Sequence, residues 1–127
     1  MQKTHRTLFA LFLSSLFLSA LFLSPFALTG CKTTAPPLPL DQLDAQQVHG
    51  HEYFIAHCGQ CHYDRETGPL HGPSLLGIFK KPYLPSGAPA NNERVSETIL
   101  HGHKLMPAEP ATDPVDLEDL LAYLHTL

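Results

Sequence analysis

No acidic residue occurs before Asp41 in this 127-residue chain, although all twelve of its aspartates and glutamates follow from that point. Past the first residue there is one methionine, Met106, and the three cysteines include only one closely spaced pair, Cys58 and Cys61. No run alternates between apolar and polar residues, no segment repeats, and nothing resembles a nucleophile–base pair or a pair of acids in a cleft. Each absence excludes something. Without strand patterning there is no sheet to carry a thioredoxin-like dithiol, which needs a strand leading into it and a βαβ context. Without a second cysteine pair, a four-ligand zinc site would have to draw its remaining ligands from scattered histidines. A hydrolytic enzyme has no visible machinery.

The acid-free beginning has its own logic. Lys3 and Arg6 precede an apolar run from about Leu8 to Leu23, the layout of a secretory signal with a basic end and an apolar core. A retained transmembrane helix is the rival, since the run is nearly long enough to span a bilayer. "LTGC", Leu28 to Cys31, looks like a bacterial lipobox and favours the first reading. That resemblance implies cleavage before Cys31 and acylation of its sulfur and its freed amine. Two or three acyl chains, each methylene contributing about 0.8 kcal/mol, hold a small domain on a membrane where one would not. Aspartate after the lipid cysteine would imply retention at the inner membrane. Lys32 stands there instead, so the resemblance points to the periplasmic face of an outer membrane, if the host has one, and otherwise to the outer face of the cytoplasmic membrane.

Residues 1–30 are thus expected to be a removed signal, and 31–43 a lipidated end followed by a proline-rich tether. A dozen residues at ~3.1 Å each would let the domain stand roughly 35–40 Å from the membrane. The remaining chain has 127 − 30 = 97 residues and six basic against twelve acidic side chains, a balance of −6. So acidic a chain is not expected to bind nucleic acid. With so little surface to bury, a large apolar cofactor in its core would help it fold.

Residues 44–127 read as one all-α unit. A first helix is expected from about Leu43 to His57, carrying Val48, Phe54 and Ile55 inward. "NNERVSETILHG" predicts a second, capped by Asn91 or Asn92 and ended by Gly102, with Val95 and Ile99 on one face. Asp113 caps a third with Pro114 at its first position, where the missing donor costs nothing. Leu117, Leu120, Leu121 and Leu124 then form its apolar stripe. Tyr63 to Ala90, rich in glycine and proline, is mostly loop.

At the end of the first predicted helix stands "AHCGQCHY", residues 56–63. Two cysteines three apart with His62 directly behind suit a redox dithiol, half a zinc site or a covalent haem anchor. A disulfide between Cys58 and Cys61 would leave His62 unexplained. C-x-x-C-H is the attachment signal for c-type haem, because both thioethers and an iron ligand come from one short turn. Giving Cys31 to lipid leaves these two cysteines as a matched pair. Met106, before Pro107 in an irregular stretch, is poorly placed as core filler and well placed to project a thioether into a pocket. His101 and His103 are its rivals.

Over residues 44 to 127 the chain resembles the class I cytochromes c in their small bacterial monohaem form. Gly50 and Phe54 ahead of Cys58-x-x-Cys61-His62 match the first helix of that family, and Leu120 and Tyr123 its last. "GPSLLGIF", Gly72 to Phe79, matches the loop beneath the haem, and Gly102, Met106 and Pro107 match the distal segment. The resemblance implies a cytochrome c fold with three main helices around one covalent haem c. It also implies thioethers at Cys58 and Cys61, His62 and Met106 as iron ligands, and the Pro73 carbonyl accepting from His62. With both axial positions filled, the expected role is that of an electron carrier between redox partner proteins. No small-molecule substrate is expected and no enzyme activity. A haem-based sensor with a displaceable Met106, or the haem subunit of a larger oxidoreductase, are the competing expectations. Lys80 and Lys81 are either a docking patch or a solvated pair.

Overall fold

Asp44 starts the first helix, α1 (Ala45–His57), by a reciprocal cap. Its carboxylate accepts from the Gln47 amide at 2.8 Å, and the Gln47 side chain accepts from the Asp44 amide at 3.1 Å. Two amides that the helix itself leaves unpaired are thereby satisfied. The computed structural model describes residues 35–127. The expected signal, the lipobox and Cys31 lie outside the described residues.

Helix α2 (Asn92–His101) opens on Asn91, whose side chain accepts from the Arg94 amide at 3.0 Å, and closes on Gly102 at φ 73°. Helix α3 (Pro114–Leu124) opens on Asp113, which accepts from the Val115 amide at 2.8 Å. Short 3₁₀ turns at Leu40–Gln42 and Ile78–Lys80 are the other helical pieces, and no strand forms among the described residues. The chain from Tyr63 to Ala90 is otherwise loop, as its composition predicts.

The core is built where α1 crosses α3. Phe54 from α1 meets Leu120, Tyr123 and Leu124 from α3, with Leu127 beyond; Val95 and Ile99 of α2 and Ile78 and Leu84 of the long loop complete it. Gly50 is the point of closest approach. A Cβ placed there would lie 2.0 Å from the Asp119 carbonyl oxygen and 2.9 Å from the Leu120 nitrogen, both backbone atoms that cannot turn aside. The inward face of α1 is correspondingly narrow. Val48 and Ile55, expected inside, are 40% and 58% exposed. The stripe is set by Gly50 and Phe54, four apart. At 100° per residue Ile55 falls a quarter-turn off it, and Val48, two residues before Gly50, falls on the far side.

The proline-rich segment differs from a free tether. The Leu38 amide donates to the Thr126 carbonyl at 2.8 Å, Arg65 Nη2 donates to the Leu38 carbonyl at 2.8 Å, and Lys80 Nζ donates to the Ala35 carbonyl at 3.2 Å. Leu43 packs against the core. Prolines remove backbone donors but leave every carbonyl as an acceptor, and two basic side chains of the domain take up two carbonyls of this segment, those of Leu38 and Ala35.

His49 on α1 pairs with Asp119 on α3, Nδ1 to Oδ2 at 2.7 Å, close to Gly50. The hydrogen bond to Asp119 raises the histidine above its ordinary 6.5, and the same bond lowers Asp119 below its ordinary 3.8. The raised imidazole stabilises the fold fully below 6.5 and loses that contribution as pH rises through its folded value; the lowered carboxylate contributes above 3.8 and loses it as pH falls through its own folded value. The wild type's stability advantage over His49→Gln should therefore be greatest near about pH 5.5 and shrink on the alkaline side, measured by urea melts across pH. Gly50→Ala should cost about 3 kcal/mol or more by overpacking, seen as a lower urea midpoint.

Candidate functional site

Helix α1 does not stop abruptly at His57. The amides of Cys58 and Gly59 both donate to the Phe54 carbonyl, at 2.8 and 2.9 Å, and those of Cys61 and His62 both donate to the Cys58 carbonyl at 3.0 Å. One tight turn thus carries the Cys58 thiol, half-buried against the core, the exposed Cys61 thiol and the His62 imidazole. The loop that follows is folded back on this turn. His71 and Gly72 donate their amides to the Cys61 carbonyl, at 3.2 and 2.7 Å. That brings the Pro73 carbonyl to 2.7 Å from His62 Nδ1. A carbonyl can only accept, so Nδ1 carries the proton and Nε2 keeps a free lone pair. Gly72 makes room for the ring: a Cβ there would sit 2.4 Å from His62 Cε1 and 2.8 Å from Nδ1.

The Cys58 thiol is pushed up to about 11, first by burial and then by the charges of Glu109 and Cys61. Reactive dithiols and thiolate ligands have the opposite environment, one that lowers the thiol. Among the described residues no group of three or more His, Cys, Asp or Glu gathers as a metal site. What the turn does bring together, two thiols and an imidazole at the end of one helix, is the arrangement that the third chemistry permitted by the motif requires.

Met106 comes from a different segment. His103 and Met106 exchange both backbone hydrogen bonds, at 3.1 and 2.9 Å, closing a two-residue turn with Lys104 at φ 54° and Leu105 fully exposed at its tip. Gly102 stands under this turn; at φ 73° it has no room for a side chain, since a Cβ would meet the Met106 carbonyl at 2.7 Å. The Glu109 amide ties the segment to the Ile99 carbonyl at 2.9 Å. Met106 packs at the edge of the core, whereas His101 and His103 are exposed.

Behind the cysteine turn lies a polar cluster that sequence reasoning passed over. The Tyr123 hydroxyl, wholly buried, donates to the Asp64 carboxylate, and Arg65 Nε donates to the same hydroxyl at 3.3 Å. Burial and the Asp64 carboxylate both push the tyrosine up, so it remains a donor. The available signal was an Asp–Arg pair directly after the motif, with a tyrosine among the leucines of the last helix.

Two thiols and an imidazole on one turn, the ring held through Nδ1 with Nε2 free, and a glycine admitting that ring suit covalent haem. Fold and site together define a c-type cytochrome domain. Residues 45–124 match the family model described as cytochrome c oxidase, cbb3-type, subunit III, and the chain belongs to that family. No curated protein matches it. Membership carries one covalently bound haem c, at the motif Cys58, Cys61, His62, and haem-based electron transfer with redox partner proteins.

Two outcomes test the site. Cys58→Ala/Cys61→Ala should carry no haem that survives a denaturing gel, read by haem staining. Gly72→Ala should keep its covalent haem but displace the imidazole, and the oxidised optical spectrum should shift toward the high-spin form.

Proposed function

We propose that the protein is a membrane-tethered monohaem cytochrome that passes single electrons between redox partners outside the cytoplasm, with Met106 as the second axial ligand. Haem c supplies the one-electron interchange of ferrous and ferric iron. The chain's own part is positional. Cys58 and Cys61 fix the group to the end of α1. The Pro73 carbonyl, by accepting from Nδ1, holds the His62 ring in one orientation and makes it a stronger donor. Met106, the one thioether of the described residues, raises the potential relative to a second histidine. With both axial positions taken there is no open coordination site for a substrate, and the protein is a carrier rather than a catalyst.

The observation that carries this reading is the Gly102–Met106 turn. Two left-handed residues, Gly102 and Lys104, hold a lone partly buried methionine where the exposed histidines beside it do not reach the core. Glycine takes a positive φ freely, whereas at Lys104 it costs energy that ordinary loop residues avoid. The tether rests on Leu28 to Cys31. No helix among the described residues is long and apolar enough to cross a membrane. A second reading, a haem subunit acting within a larger oxidase, is favoured by the family's own description; a large stable complex on pull-down would distinguish it from a free carrier.

The deciding measurement is the optical spectrum of the holoprotein, oxidised and reduced, with and without carbon monoxide. The far-red methionine–iron charge-transfer band should be present in the oxidised form, and the reduced form should ignore carbon monoxide. In Met106→Ala that band should vanish and carbon monoxide should bind at once. A wild-type protein that binds carbon monoxide immediately would instead be a sensor or small-molecule binder.

A further inference from the structure

Tyr53 lies half-buried on α1, its ring packed against the core and stacked on His57, with centroids 4.2 Å apart and planes 15° apart. A phenylalanine would make both contacts, so the hydroxyl serves neither. That hydroxyl lies 3.0 Å from Thr112 Oγ1, 59 positions further on. The Thr112 hydroxyl has a single proton, spent on the Glu109 carbonyl at 2.9 Å. Tyr53 is therefore the donor and Thr112 the acceptor. The Thr112 amide also donates to the Glu109 carbonyl, at 3.2 Å, so Glu109 to Thr112 is one closed turn. The Glu109 amide ties this turn to α2 through the Ile99 carbonyl at 2.9 Å. Among the described residues, its one hydrogen bond to α1 is the bond from Tyr53.

The same turn closes the segment that bears Met106. From Gly102 to Thr112 no residue is helical, and among the described residues Tyr53 is the one side chain from outside that hydrogen-bonds to it. The two segments also approach at Glu109, whose charge helps to push up the Cys58 thiol at the end of α1. We propose that Tyr53 is a positioning residue for the distal iron ligand: its hydroxyl fastens the Met106 segment to the helix that carries the cysteine turn. The proposal rests on the reading of Met106 as the second axial ligand. Cys58 and Cys61 fix haem to the end of α1, so a methionine ligand has to be held to α1 and not only to α2, from which its own segment starts. Gly102 and Lys104 shape the turn around Met106; the Tyr53 hydroxyl joins that segment to the right helix. Without this bond the segment swings on its root at α2, and Met106 leaves the iron more often.

The test titrates the oxidised holoprotein with imidazole, which competes with Met106 for the iron and is read by loss of the far-red band. An entering ligand binds only the opened fraction, so its apparent affinity follows that fraction. Tyr53→Phe, which keeps the stacked ring, should bind imidazole about fivefold more tightly than the wild type, the shift that loss of one ordinary hydrogen bond gives. Thr112→Val should behave alike, and the double variant should differ from neither, since both remove the same bond. Thr112→Ser, which keeps the hydroxyl, should match the wild type. Asn91→Ala removes the α2 cap, costs fold stability of the same order, and should leave the imidazole affinity unchanged. Wild-type affinity in Tyr53→Phe and Thr112→Val overturns the lock. So does equal tightening in Asn91→Ala, which would mark a general loss of stability. A wild type with no far-red band overturns the Met106 reading itself, and this proposal with it.

Discussion

The approach of α1 to α3 at Gly50 is the constraint on which the rest depends. A helix that bore any side chain at that position would be pushed off the Asp119–Leu120 backbone. Phe54, one turn further on, would then lose its place against Leu120 and Tyr123. The end of α1 is also the start of the cysteine turn, so the crossing sets where both thiols and the imidazole stand relative to the core. His49 and Asp119, paired across the same crossing, add a polar clamp beside the apolar contact. Stability and site geometry are in this sense one quantity: what loosens the crossing also moves the site.

A second set of contacts joins the loops to that frame. Asp64 and Arg65, just past His62, reach the buried Tyr123 hydroxyl on α3, and Arg65 continues to the Leu38 carbonyl. A buried hydroxyl costs stability unless partnered, and here it has two partners from the one loop that also cradles the imidazole. The loop is therefore held at both ends, by Tyr123 on one side and by the Cys61 carbonyl on the other. Pro73 can present its carbonyl to His62 because the loop has so little freedom.

Much of this was legible in residue order. The caps at Asn91 and Asp113, the proline at the start of α3, and the paired cysteines followed by histidine are local signals whose physics acts over three or four residues. The all-α class and the irregular stretch from Tyr63 to Ala90 followed from periodicity and from glycine and proline content. What was not legible depended on contacts between distant segments. Val48 and Ile55 are as apolar as Phe54, and only the crossing at Gly50 decides which of them turns inward. The proline-rich stretch before Asp41 looked like a spacer because the basic residues that bind its Leu38 and Ala35 carbonyls lie 27 and 45 positions further on. The Asp64–Arg65–Tyr123 cluster likewise joins residues nearly sixty positions apart.

The half-buried Cys58 thiol carries a tension of its own. At about 11 it is almost entirely protonated in neutral surroundings, and a thiol is a far weaker nucleophile than its thiolate. The packing that sets Cys58 against the core thus also keeps its sulfur in the less reactive form, so the shape of the site and the reactivity of its thiol pull in opposite directions.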